Sequence, residues 1–383
     1  MKPLVIFSSQ DFDDLPTRKH KLAKHFSSKV PILYIEAPFT YLSALKDPTY
    51  KPKVKRSGQI KQIRPNLWVA SPPAMMPFYG RIGFMQKMAC GKIANFALKI
   101  MKEINFPKDF TALIYLPWMK PVIDKIKPRV VFYDCVDDHA GYGGTSSKAF
   151  IEKAEELLCK SCDAVFTTAK SLQKRLSSFN TNTVYLPNAV DPEIFKPTSP
   201  SSEVEIIPKP RVVYSGALRW WFDSDLMIHL AEELPNIHFI IIGGERNSEL
   251  GENGRKLRAM HNVHFLGKRF QEELPGLMSG SCCGIIPFKE NALIASVSPL
   301  KLYEYASMCL PTVSVPMAEL VDMPADVVRV ANGFEQFKQE ILNFTLKSPN
   351  ADVLKVFSAN NTWDTRFALF EDELERCWKK ERA

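Results

Sequence analysis

No stretch of this chain approaches the roughly 20 consecutive apolar residues that a membrane-spanning helix needs. Its N-terminus offers an apolar run of only about five residues before Asp11, Asp13 and Asp14 intervene, too short for a secretory signal. A cytoplasmic protein is expected, or one attached peripherally to the cytosolic membrane face. Metal-site signatures are thin as well. Cys159-Lys-Ser-Cys162 has redox or zinc spacing, but neither a second CxxC nor paired histidines accompany it, so the eight cysteines read as reduced thiols. Internal repeats and low-complexity tracts are missing, and no basic motif with interleaved aromatics points to nucleic acid.

At 383 residues the chain exceeds what one core usually fills, so two domains are expected. The charge divides unevenly between them. Residues 1–197 hold 30 Lys and Arg against 17 Asp and Glu, a net of +13, while residues 198–383 come to −5. A basic half suits an acidic partner, such as anionic lipid headgroups or a phosphate-bearing substrate.

Short β-rich apolar runs alternate with helical stretches from end to end. Pro3–Phe7, Pro31–Ile35, Leu67–Ala70, Ala112–Leu116, Val130–Tyr133, Ala164–Thr167 and Val184–Leu186 read as strands. A proline- and serine-rich stretch, Lys196–Lys209, reads as a linker, after which the alternation restarts at Arg211–Ser215. This pattern predicts two doubly wound, Rossmann-like α/β domains facing a central cleft, with boundaries at 1–197, 198–360 and a closing segment 361–383.

The most informative segment is Ser298-Pro-Leu-Lys-Leu-Tyr-Glu-Tyr-Ala-Ser-Met-Cys-Leu-Pro311. It reads as a helix opened by Ser-Pro. Proline at the first position forfeits an N–H that would be unpaired anyway, so the other first-turn N–H groups and the positive dipole end remain open to a phosphate. Lys301 adds a full charge, and Glu304, one turn on, can accept from two vicinal hydroxyls. An amphipathic core helix burying Leu300, Leu302, Tyr305 and Ala306 fits the same residues. At the preceding strand ends, Gly216 allows close backbone approach with Arg219 nearby, and Gly243-Gly244 offers a second such point. Lys289, Glu290 and Asn291 would stand at the mouth of the same crevice, or form a solvated loop.

In the first half, Asp134, Asp137, Asp138 and His139 follow a strand, as catalytic groups, as turn caps or as an acidic metal site. Arg18, Lys19 and His20 are candidates to meet an acceptor. Residues 78–104 mix apolar residues with Arg81, Lys87, Lys92, Lys99 and Lys102, the pattern of a helix on an anionic surface or of a core helix with a solvated lysine face.

Tyr214-Ser-Gly-Ala-Leu, Ile286-Pro-Phe-Lys, Ser298-Pro-Leu-Lys-Leu-Tyr-Glu-Tyr and Leu186-Pro-Asn-Ala-Val-Asp-Pro-Glu-Ile-Phe195 together resemble the GT-B glycosyltransferases of family 4, or group 1. The opening Phe7–His20, the segment Val131–Asp138 and Thr362-Trp-Asp-Thr-Arg-Phe367 resemble the teichuronic-acid-type cell-surface polysaccharide subgroup. The resemblance implies a retaining transfer of a sugar from a nucleoside diphosphate sugar to a glycan or lipid-linked acceptor, without a metal or other cofactor. Gly216, Arg219, Lys289, Ser298, Lys301, Leu302 and Glu304 would hold the donor, Asp134, Asp138 and His139 would serve catalysis, and Arg18 and His20 the acceptor. It also implies that the closing helix crosses back to the N-terminal domain. Two departures stand out. Ser296 occupies the place of the family's sugar-contacting glutamate, and Ala217 follows Gly216 where basic residues are usual. A nucleotide-sugar epimerase of the same architecture and a non-catalytic nucleotide-binding scaffold are the competing readings.

Overall fold

The computed structural model describes residues 2–14, 16–46, 50–76, 83–141, 147–245, 248–291, 293–347 and 349–380. The chain forms two compact units, one of Met1–Leu186 with Phe367–Ala383 and one of Pro187–Arg366. Residues 196–209, expected as a linker, lie inside the second unit. There Val204 is fully buried and its carbonyl accepts from the buried Arg211 guanidinium.

Among the described residues the first unit holds β1 (Leu4–Phe7), β2 (Ile32–Ile35), β3 (Ile60–Arg64), β4 (Leu67–Ala70), β5 (Thr111–Ile114), β6 (Val130–Cys135), β7 (Ala164–Thr167) and β8 (Thr183–Tyr185). They form one sheet in the order β3-β4-β2-β1-β5-β6-β7-β8. Every pairing is parallel except β3 on β4. Strands β1, β2, β5, β6 and β7 are buried throughout, which is why they stand out in the sequence as unbroken apolar runs. By contrast β3, Ile-Lys-Gln-Ile-Arg, is almost wholly solvated and was missed for lack of that signal. Its charges blunt an exposed sheet edge. Just upstream, Lys51, Lys53 and Lys55 lie on the short helix Lys51–Lys55.

The helix Gly83–Glu103 seals one face with Cys90, Ile93, Ala94, Ala97 and Ile100. Residues 77–82, part of the same expected helix, lie outside the described residues. The last helix, Trp363–Lys379, enters the first unit at Phe367. Its Phe370 ring lies 5.5 Å from Phe132 and 5.0 Å from Phe166, and Trp378 Nε1 donates to Thr111 Oγ1 at 2.7 Å.

The second unit contains β9 (Arg211–Ser215), β10 (His238–Ile242), β11 (Val263–Gly267), β12 (Cys283–Ile286), β13 (Thr312–Ser314) and β14 (Val328–Val330). They run parallel in the order β11-β10-β9-β12-β13-β14. The chain builds outward from β9, first to β10 and β11 on one side and then to β12 on the other. The strand order therefore reverses between β9 and β12, and ligands of open parallel sheets bind beyond the carboxyl ends at such a point.

Candidate functional site

In the second unit, the carboxyl end of β9 meets the helix Leu300–Ser307 at this switch point. Pro299, expected as the first helical residue, is instead the N-cap, so the helix starts one position later than the sequence suggested, with extended backbone at φ −74° and ψ 118°. Proline has no side-chain group to cap the helix start. Ser298 stands just ahead, 4% exposed, its hydroxyl without a hydrogen-bond partner among the described residues. Its carbonyl accepts from Asn188 Nδ2 at 2.8 Å, which ties the Pro-Asn-Ala motif to the helix entry.

Lys301 reaches from the first turn toward Gly216. A Cβ on Gly216 would lie 2.6 Å from both Cε and Nζ of Lys301, so this glycine is where lysine and strand end come together. The Lys301 ammonium stands 5.2 Å from the Tyr214 ring centroid and 4.9 Å from that of Phe288, both within cation–π range. Burial pushes its pKa down to about 8, opposed by the nearby Glu304 carboxylate, which is itself buried. A cation flanked by aromatic faces is poorly solvated, so an incoming anion gains more from it than from a lysine in water.

The second close-approach point takes a different form from the one expected. A Cβ on Gly243 would lie 1.9 Å from Gly216 O, so Gly243 makes room for the neighbouring strand-end backbone. The other donor candidates are dispersed. Arg219 Nε pairs with Glu249 at 2.9 Å, Lys289 sits on an exposed loop with its N–H bonded to Trp221 O, and Leu302 is core.

In the first unit, Asp134 at the end of β6 is fully buried. Its Oδ2 accepts from Arg18 Nε at 2.7 Å, and its Oδ1 has no hydrogen-bond partner among the described residues. Arg18 also donates to Leu186 O. His20 is spoken for at both ring nitrogens. Thr17 N donates to Nδ1 at 3.0 Å, which leaves the proton on Nε2 to donate to Asp11 O at 2.9 Å. Between them Lys19 is buried, donating to Ser9 Oγ at 2.8 Å, with its pKa pushed down to about 8 by burial. Asp138 faces Arg175 at 3.7 Å and is about one-third exposed. His139 Nε2 is buried without a partner among the described residues, and burial holds the ring's pKa down at about 4. At neutral pH it is an uncharged imidazole.

Residues 209–345 match the family of glycosyl transferases group 1. A Bacillus subtilis (strain 168) protein described as a teichuronic acid biosynthesis glycosyltransferase, TuaH, is 23% identical over 198 residues, 48% of this chain and 49% of that protein. The chain thus spans about half the length of that curated relative. Similarity of structure extends further. Sucrose-phosphate synthase from Thermosynechococcus elongatus superposes with a TM-score of 0.73 at 13% identity, covering 98% of each chain. The Anabaena protein HepE, solved in complex with UDP and glucose, gives 0.68 at 14% identity over 98% of this chain and 99% of its own. The chain has the GT-B fold, and within it residues 209–345 are similar to the group 1 glycosyl transferases.

Within the GT-B frame, Lys301 and Gly216 are the candidates that the structure brings into one place, along with Ser298 and Glu304 on the same helix entry. Sequence reasoning overlooked Tyr214, Phe288 and Asn188 as parts of that place. All three lie inside motifs named above, but the roles of Tyr214 and Asn188 depend on contacts made 87 and 110 positions away, at Lys301 and Ser298, and Phe288 also faces Lys301. Among the described residues no cluster of three or more His, Cys, Asp or Glu could hold a metal ion, and no helix is long and apolar enough to cross a membrane.

Proposed function

We propose that this GT-B protein transfers a sugar, with retention, from a nucleoside diphosphate sugar to a glycan or lipid-linked acceptor in the synthesis of a cell-surface polysaccharide. The observation that carries the reading is Lys301, a poorly solvated cation on an uncapped helix start, set against Gly216 at the sheet's switch point. Such a place suits a diphosphate. When the bond from the anomeric carbon to the phosphate oxygen breaks, negative charge grows on the departing diphosphate, and Lys301 with the helix dipole stabilises it there. Ser298 Oγ is a further buried donor for the same group, and Glu304 would hold the ribose hydroxyls.

The acceptor oxygen forms its bond on the face that the phosphate leaves, and a phosphate oxygen takes the acceptor hydroxyl's proton. This needs no strong side-chain base. His139, neutral and unpartnered at Nε2, and the open oxygen of Asp134 are the first-unit groups that would orient the acceptor. Asp138 lies beside His139 in the chain and Arg18 is paired with Asp134, and with His20 they support that end. No metal is required by the scheme, because the chain's own cations meet the diphosphate charge.

A membrane-attached acceptor is favoured by Phe84 and Met88, which lie one turn apart on helix Gly83–Glu103, 71% and 49% exposed, beside the exposed Lys87. Paired apolar and basic side chains on one helix start suit an anionic lipid surface.

The reading is tested with UDP, GDP, CDP and ADP in a thermal-shift panel on the wild type and on Lys301→Met and Glu304→Ala. A nucleotide that stabilises the wild type by several degrees and neither variant supports the site; stabilisation by none of the four sinks it. Release of nucleoside diphosphate from a donor sugar separates a transferase from a nucleotide-binding scaffold.

A further inference from the structure

The sheet of the second unit is paired unequally about β9. On the β10 side the register continues to Ser215↔Ile242. On the β12 side it stops two residues earlier, at Val213↔Gly284. The gap is filled by one side chain. Tyr305, fully buried on helix Leu300–Ser307, inserts its hydroxyl between the strands, where it accepts from Ser215 N at 2.8 Å and donates to Ile285 O at 3.4 Å. The phenol thus satisfies a strand N–H and a strand carbonyl that would otherwise be left buried and unpaired.

The ring's seat is equally specific. A Cβ on Gly284 would lie 2.3 to 2.6 Å from Cδ2, Cε2 and Cγ of Tyr305, so only glycine at that position admits the ring. Tyr305 lies one helical turn beyond Lys301, and Ser215 immediately precedes Gly216. A second tyrosine braces the far side of the same turn, with Tyr214 Oη donating to Ala217 O at 3.0 Å.

We propose that Tyr305, seated on Gly284, is a positioning residue for the donor site: it holds β9 and β12 apart at the switch point and fixes Ser215-Gly216 at the distance where Lys301 meets the diphosphate. The proposal rests on the donor-site reading above. Tyr305 does not touch the nucleotide; it acts through Gly216 and Lys301. The residue types are coupled, since a tyrosine here requires a glycine at 284, and the hydroxyl is what replaces the missing rung.

The test compares wild type, Tyr305→Phe and, as a destabilised control, Asn262→Ala, whose amide donates to the carbonyls of Ala231, Leu234 and Ile237. Phenylalanine keeps the ring on Gly284 and removes only the hydroxyl. Hydrogen exchange at the Ser215 amide should rise about tenfold or more in Tyr305→Phe, and the Kd for UDP, GDP, CDP or ADP, whichever the wild type binds, should rise about tenfold, in line with loss of one or two buried hydrogen bonds. Asn262→Ala should lose melting temperature without losing nucleotide affinity. Gly284→Ala should weaken nucleotide binding in the same direction as Tyr305→Phe. Unchanged nucleotide affinity in Tyr305→Phe overturns the positioning role even if the protein is destabilised, and so does an unchanged Ser215 exchange rate. A wild type that binds none of the four nucleotides removes the donor-site reading and the positioning role with it, while the Ser215 exchange rate still reports whether the hydroxyl bridges the strands.

Discussion

A methyl group on Gly216 would stand 2.6 Å from both Cε and Nζ of Lys301. Gly216 also holds φ at +149°, a backbone region that side chains rarely adopt. Gly216→Ala should therefore displace the lysine and strain the turn, weakening nucleotide binding at least about tenfold while the protein stays folded, because the lysine tip can swing away. Gly243→Ala should behave differently. Its Cβ would meet the Gly216 carbonyl at 1.9 Å, backbone against side chain with nothing flexible to yield, so loss of the folded protein is expected. Calorimetric titration alongside thermal melts separates the two outcomes.

Lys301 should give nucleotide binding an alkaline limb. With the pKa at about 8, the ammonium is mostly charged at pH 7 and mostly neutral at pH 9. Affinity should fall roughly tenfold across that interval, where an ordinary lysine would hold its charge. Lys301→Met should bind more weakly at pH 7 and show a flat profile. Titrations at pH 7, 8 and 9 check this, and a wild-type profile as flat as the variant's would refute it.

Much of this organisation was legible in the sequence, for reasons visible in particular residues. Strands such as β4 and β7 are buried throughout or nearly so and were found to the residue, because burial on both faces demands an unbroken apolar run. The edge strand β3 carries no such run and went unseen. Lys301 and Gly216 were each singled out from local chemistry alone, helix start and strand end. Arg219 drew attention for the same local reason, yet its charge faces Glu249, a pairing thirty positions away that no local pattern announces. His20 likewise looked available until the fold brought Asp11 O and Thr17 N to its two nitrogens. The seat of Tyr305 on Gly284 lies beyond sequence reading, since it joins a helix to a strand through the absence of a side chain.

His139 should make the protein acid-sensitive. Its folded pKa of about 4 lies below the usual 6.5, so between those values the unfolded chain takes up a proton that the folded chain refuses. Stability therefore declines as pH falls from about 6.5, and the deficit is complete below about pH 4, amounting to about 3 kcal/mol. Urea unfolding at pH 7 and pH 4.5 should show a larger loss for the wild type than for His139→Gln. Equal losses would place the acid sensitivity elsewhere.

The Arg18–Asp134 pair should be costly to halve. Both side chains are almost fully buried, at 4% and 1% exposure, so removing one charge strands the other. Asp134→Asn and Arg18→Met should each destabilise by about 3 kcal/mol or more, and the double variant by less than the two together. A double-mutant cycle in urea measures the coupling.

Phe84→Ser with Met88→Ser should reduce flotation with vesicles containing anionic phosphatidylglycerol several-fold, and leave the melting temperature within a degree or two. Both side chains are exposed, so neither substitution opens a cavity. Flotation equal to the wild type would remove the membrane reading.

The closing helix has a consequence for the order in which the protein can be finished. Phe370 packs on Phe132 and Phe166, and Trp378 bonds to Thr111, so the earlier-made unit is completed by a segment that follows the whole of the later one. The earlier-made half must wait, with a bare patch on its core, through the whole synthesis of the later one. Removing residues 363–380 should therefore injure the half that was made first.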